Sequence, residues 1–166
     1  MDAGIDCLRR AVSDAEKIKG GVLRARATLE LGTALVHSVR GFDDEGAVLL
    51  LQSTELARAA GDGGIAAAGF RELGYVEALA GRRPVAERYL RRALDLAEYR
   101  NDLAGIHAVI GFNLVDWGRP AQGLEHYELS LDHARSTGNR RREIWTLGLG
   151  GWGMLAAGRL ADADQW

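Results

Sequence analysis

The 166-residue chain has one cysteine and two prolines, and of its 21 basic residues only Lys17 and Lys19 are not arginine. A single Cys7 can form no internal disulfide. With no base at a defined spacing it offers no activated thiolate either, so a small apolar filler on a helix is its expected role. No apolar run approaches the roughly 20 residues that cross a bilayer, and the N-terminus lacks the basic, apolar and small-residue order of a secretory signal. A cytoplasmic protein with no membrane partner is expected. The 21 basic and 23 acidic residues leave a formal net charge of -2, which gives no global field for a phosphate backbone, and direct nucleic-acid binding is not expected. A GxxxxGK[ST] phosphate loop, a helix-turn-helix signature, a strand signal and any Ser/His/Asp or paired-carboxylate spacing are also missing. No catalytic site and no cofactor are therefore expected.

What the chain does have is a 47% hydrophobic fraction and 22 glycines, an odd combination for helices unless the glycines hold fixed packing and turn positions. They recur in register. YLRRALDLAEYRND at Tyr89–Asp102 is echoed by LDHARSTGN ending at Asn139, by ELARAAGD ending at Asp62 and by CLRRAVSDAE at Cys7–Glu16. In that phase Gly4, Gly46, Ala86, Gly123 and Ala163 are separated by 42, 40, 37 and 40 residues. A second series, Gly32, Gly74, Gly111 and Gly151, is separated by 42, 37 and 40. Two amphipathic helices and a turn per period make a helical solenoid, because one hairpin cannot bury its own apolar face.

The expected fold is all-α, a right-handed α-α superhelix of about three to four helix-turn-helix repeats of 37–42 residues, spanning 1–166 as one domain. Helices are expected near 3–18, 22–39, 44–60, 64–80, 84–100, 103–117, 120–136 and 140–157, with a stub from 160. Pro84 and Pro120 fall in first turns, where a missing amide hydrogen costs little, and Asp43, Asp62 and Asp102 are expected N-caps.

Phe70, Leu73 and Gly74, then Gly81, then Ala86, Leu90 and Ala93 resemble the tetratricopeptide repeat at its own internal spacing. Gly74 should let two helices approach opposite Ala86, with Leu90 between them and Ala93 admitting the next repeat. Thr28 and His107 stand where the pattern has an aromatic, and Glu98 replaces its usual proline, which implies that the second helix runs on for another turn. HEAT or armadillo repeats are the structural alternative. The Gly61-Asp62 and Asn101-Asp102 endings resemble the sensor arrays of large bacterial regulators, the maltose-activator, LuxR-type and related nucleotide-switch ATPases. That resemblance implies the sensor part of a transcriptional regulator, a fragment of a longer array with its other domains elsewhere. The first helix looks like half a repeat and the last stops short, so apolar ends that stack on a second copy are the other expectation, as a self-associating scaffold or adaptor.

In such a fold the first helices of successive hairpins line a concave groove for a protein or peptide. The glycine frame points Arg26 and Thr33, Arg71 and Tyr75, Phe112 and Asp116, and Trp145 and Trp152 into it. Arg and aromatic side chains are the types that anchor bound peptides, although aromatics at helical spacing also fill cores. His126 and His133 lie seven apart, about 10 Å of rise, too far to share one ion, so no metal is expected. His107 is expected in a core slot, and His37 near a helix end. Arg82-Arg83, Arg91-Arg92 and Arg140-Arg141-Arg142 alternate with acids and read as solvent-facing pairs.

Overall fold

The structure, a computed structural model, describes residues 2–18, 20–38 and 43–163. Among them the only regular structure is helical: α1 (Asp2–Lys17), α2 (Gly21–Ser38), α3 (Asp43–Ala59), α4 (Gly63–Leu79), α5 (Arg83–Leu96), α6 (Arg100–Asp116), α7 (Pro120–Ser136), α8 (Arg140–Ala156) and α9 (Leu160–Ala163). Helices α2/α3, α4/α5 and α6/α7 form hairpins, and each hairpin packs on the next, which is an all-α repeat solenoid.

The glycine frame explains the hairpins. A Cβ on Gly32 would come within 3.0 Å of Leu50, one on Gly74 within 2.7 Å of Leu90, and one on Gly111 within 2.5 Å of Tyr127. Leu50, Leu90 and Tyr127 are all fully buried and stand at one position of the second helix. In the reverse direction, a Cβ on Gly46 or Gly123 would strike Val36 or Val115 at 2.6 and 2.5 Å, and buried Ala86 takes that place in the middle hairpin. The first and third hairpins add one more repeated device. Ser53 donates to the Ala25 carbonyl at 2.8 Å and Ser130 to the Ala104 carbonyl at 2.7 Å, both fully buried. A buried hydroxyl needs such a partner, and Ala93 in the middle hairpin needs none.

Helix ends follow from local chemistry. Gly61, Gly81, Gly118, Gly138 and Gly158 have positive φ just past α3, α4, α6, α7 and α8, and the bond from Asp62 N–H back to the Ala57 carbonyl at 2.9 Å closes the left-handed turn that ends α3. Asp62 caps α4, accepting from Ile65 N–H at 2.8 Å. The expected extra turn of α5 is absent. With no glycine after it, α5 stops at Leu96, Ala97 turns extended (ψ 117°), and Leu96 and Ala97 pack against the core. Helix α6 consequently starts earlier than expected, and Asp102 lies within its first turn, beside the positive end of the helix, with Tyr99 at the N-cap. Asn139, overlooked in the sequence, caps α8. The side chain of Asp43 lies outside the described residues. Cys7 is exposed, not a core filler: among the described residues the backbone of α1 approaches α2 alone, so much of α1 is left uncovered.

Neighbouring first helices approach closely, α2 with α4, α4 with α6 and α6 with α8, whereas among the described residues the backbones of α3, α5 and α7 stay farther from one another. The layer of first helices is thus the compressed, concave side. No described helix is long and apolar enough to cross a membrane.

Candidate binding groove

The position after each frame glycine faces the concave side, and there the sequence has Thr33, Tyr75, Phe112 and Trp152. Three of these rings form a continuous row across α4, α6 and α8: Tyr75 to Phe112 at 5.7 Å between centroids, and Phe112 to Trp152 at 6.1 Å. His37 of α2 extends the row by stacking on Tyr75 at 4.8 Å, and Trp145 of α8 meets Tyr75 edge-on at 6.5 Å. Tyr75, Phe112 and Trp145 are half-buried and Trp152 is 40% exposed, so the row has open ring surface and is not consumed by the core.

Beside this row lies a hollow of about 670 Å³, walled by Thr33, Ala34 and His37 of α2, Arg71, Glu72 and Tyr75 of α4, Val109 of α6, and Arg142 and Trp145 of α8. That volume suits a few side chains of a bound segment. Its polar floor is built around Glu72. Arg71 donates to Glu72 Oε1 through Nε at 2.9 Å and again through Nη2, while His37 Nε2 lies 2.7 Å from Oε2. Burial alone would raise the Glu72 carboxyl, but Arg71 and His37 overcome it and hold its pKa down to about 2. Both oxygens being engaged, Glu72 fixes Arg71 in place. Across the groove, the Arg142 guanidinium lies over the Trp145 ring, 5.1 Å from its centroid. Burial, and then repulsion from Arg71, bring Arg142 down to about 10.

No protein-family model matches this chain, and no curated protein matches it either.

Of the eight side chains projected into the groove, the structure gathers Thr33, Arg71, Tyr75 and Trp145 around the hollow, and Phe112 and Trp152 extend the aromatic row. Arg26 and Asp116 lie apart. Arg26 lines a separate concavity near the turns with Asp62, Glu98 and Asp102, and is 3.9 Å from Glu30. Asp116 is paired with Arg83 at the end of α6. Three groove residues were missed. Arg142 belongs to a triple that looked solvent-facing, and Arg140 does pair with Glu143 at 3.1 Å, but Arg142 turns inward. His37 is a partner of Glu72 and Tyr75 and not merely a helix-end charge. Glu72 itself carried no visible signal beyond standing between Leu73 and Arg71.

A second cluster lies on the opposite side of α6, facing α7. His107 Nδ1 is 2.9 Å from His126 Nδ1, and the His107 ring stacks on His133 at 5.8 Å. Seven residues apart on α7, His126 and His133 thus flank a third imidazole from α6. Among the described residues no group of three or more His, Cys, Asp or Glu side chains is placed to share one ion.

Proposed function

We propose that this chain is a protein- or peptide-binding module of the tetratricopeptide kind, holding a segment of its partner along the concave layer formed by α2, α4, α6 and α8. The observation that carries this reading is the aromatic row His37, Tyr75, Phe112 and Trp152, which crosses four helices with ring surface left open. Aromatic anchors of limited flexibility lose little entropy on binding and offer large apolar area. The repeat spacing and the tetratricopeptide-like residues Gly74, Ala86, Leu90 and Ala93 support the family reading. The Gly61-Asp62 and Asn101-Asp102 endings support placement as the sensor part of a bacterial transcriptional regulator.

The test is selection of binding peptides from a random displayed library, followed by affinity measurement on variants. Tyr75→Ala is expected to weaken a selected peptide at least about 30-fold, since central aromatic anchors contribute 2 kcal/mol or more. Leu129→Ala, on the exposed outer side of α7, should leave affinity and melting unchanged. Equal affinities for wild type and Tyr75→Ala would remove the groove from the account.

A further inference from the structure

The second helices α5 and α7 straddle α6, and between them, on the opposite side of α6 from Phe112, lies a cleft of about 310 Å³. Leu90 and Leu94 of α5 and Ile110, Leu114 and Trp117 of α6 give it apolar walls, and Asn113 of α6 stands among them. Two of these residues depart from the glycine frame. Two places after each frame glycine come Ala34, Val76, Asn113 and Gly153, so a carboxamide takes a slot that is apolar or bare elsewhere. Six places after it come Ser38, Ala80, Trp117 and Ala157, so an indole replaces small side chains. Asn113 is only 2% exposed, its Oδ1 accepts no hydrogen bond, and its Nδ2 reaches the Arg83 carbonyl at a long 3.4 Å. A buried amide so poorly paired costs stability that an apolar side chain would not. One helical turn further along, Trp117 is 38% exposed, with the Arg119 guanidinium 5.7 Å from its ring centroid. Both departures meet in one cleft, and the packing of the hairpins requires neither.

We propose that this cleft is a small-molecule site, separate from the groove, for a flat, neutral heterocycle of one or two fused rings bearing a ring N–H. It stands whether or not the groove holds a peptide. The volume is at the lower end of the range for small-molecule sites, which favours a compact ligand over a side-chain-bearing segment. The rings lie against Trp117 and Leu114, where aromatic and aliphatic surface is open. Asn113, held by one long bond, turns its Oδ1 to accept from the ring N–H, which completes the pairing that the fold leaves undone. Neutrality follows from the rim. Glu87 pairs with Arg91 at 3.1 Å, and Glu125 balances Arg119, so the cleft offers no net counter-charge to an ion that would be desolvated there.

The probes are indole and 1-methylindole, which share one ring system and differ in the N–H. Each is titrated into isotope-labelled protein up to its solubility limit. The signals followed are the Asn113 side-chain amide, the Leu90 and Leu114 methyls and the Trp117 indole. Indole is expected to give saturable shifts at these groups and none at Tyr75 or Trp152. The methylated probe should bind at least about 10-fold more weakly, because it leaves the amide oxygen unpaired. No saturable shift with indole, equal affinities for the two probes, or shifts confined to Tyr75 and Trp152 would overturn the site. Asn113→Leu should erase the difference between the probes and keep or raise Tm, since it replaces a poorly paired amide by an apolar side chain of similar size. A difference that persists in this variant, or a fall in Tm of more than about 5 °C, would make Asn113 a packing residue and overturn the proposal. Trp117→Ala alters an exposed position just beyond α6, and it should weaken indole binding at least about 10-fold. Unchanged affinity in that variant would count equally against the site.

Discussion

Gly111→Val should destabilise the protein by about 3 kcal/mol or more and lower Tm by about 10 °C, the upper range of overpacking effects in a chain of this size. The reason is local: the new Cβ would lie 2.5 Å from the Tyr127 ring and 2.9 Å from the Gly123 carbonyl oxygen, one a fully buried side chain and the other backbone. Neither can move without parting α6 from α7. Gly148 in α8 is the control, because a Cβ there meets nothing within 4 Å. Gly148→Ala should stabilise by about 0.5–1 kcal/mol through helix propensity alone. Thermal denaturation of the two variants compares the packing glycine with a merely helical one, and similar Tm values would contradict the nesting frame.

The second large effect is acid sensitivity of the α6/α7 hairpin. His107 is pushed down to about 4 by burial and by repulsion from His126 and His133, and His126 is lowered by burial against the opposing pull of Glu125. The 2.9 Å Nδ1 to Nδ1 contact needs one donor and one acceptor, so two fully protonated rings would face donor to donor. An imidazole whose folded pKa lies below its unfolded value contributes stability that is complete above about pH 6.5. That contribution is lost as the pH falls toward 4, because the unfolded chain binds the proton more readily. The lowered Glu72 carboxyl is a separate contribution, complete above about pH 4.5 and lost only as the pH drops toward 2. The interval from pH 6.5 to 4.5 therefore reports chiefly on the histidines, the Asp102 carboxyl, raised by burial, acting in the opposite direction nearer its lower end. Urea unfolding of wild type should show a loss of about 2 kcal/mol across it, allowing for partial solvent screening. His107→Phe should flatten that slope by removing the central imidazole while keeping a ring. The same slope in both proteins would show that the cluster is not its source.

The contrast between Gly74 and Arg142 shows what the sequence could reveal. Gly74, Ala86, Leu90 and Ala93 act within one hairpin, so their spacing carries the packing rule directly and the helices, hairpins and concave side could be projected from it. Tyr75, Phe112 and Trp152 were projected by the same frame, being the next residue after each glycine. Arg142 obeys no such local rule. Its inward turn depends on Trp145 one helical turn away and on the missing side chain of Gly105 in another helix, while Arg140 in the same triple pairs with Glu143 as a solvent-facing charge should. The His37–Glu72 and His107–His126 contacts likewise join separate helices, and only a three-dimensional register brings them together. The end of α5 is not legible locally, because a missing proline removes only one barrier to a longer helix: α5 stops at Leu96 without the left-handed glycine that follows α3, α4, α6, α7 and α8, and Ala97 leaves helical geometry where it packs against the core.

The most direct test is amide shift mapping of a selected peptide on the isotope-labelled protein. The largest perturbations should fall on Thr33, Tyr75, Phe112, Trp145 and Trp152, spread over the four inner helices. Perturbations centred on outer positions such as Leu51 and Leu129, with the inner row unmoved, would contradict the account.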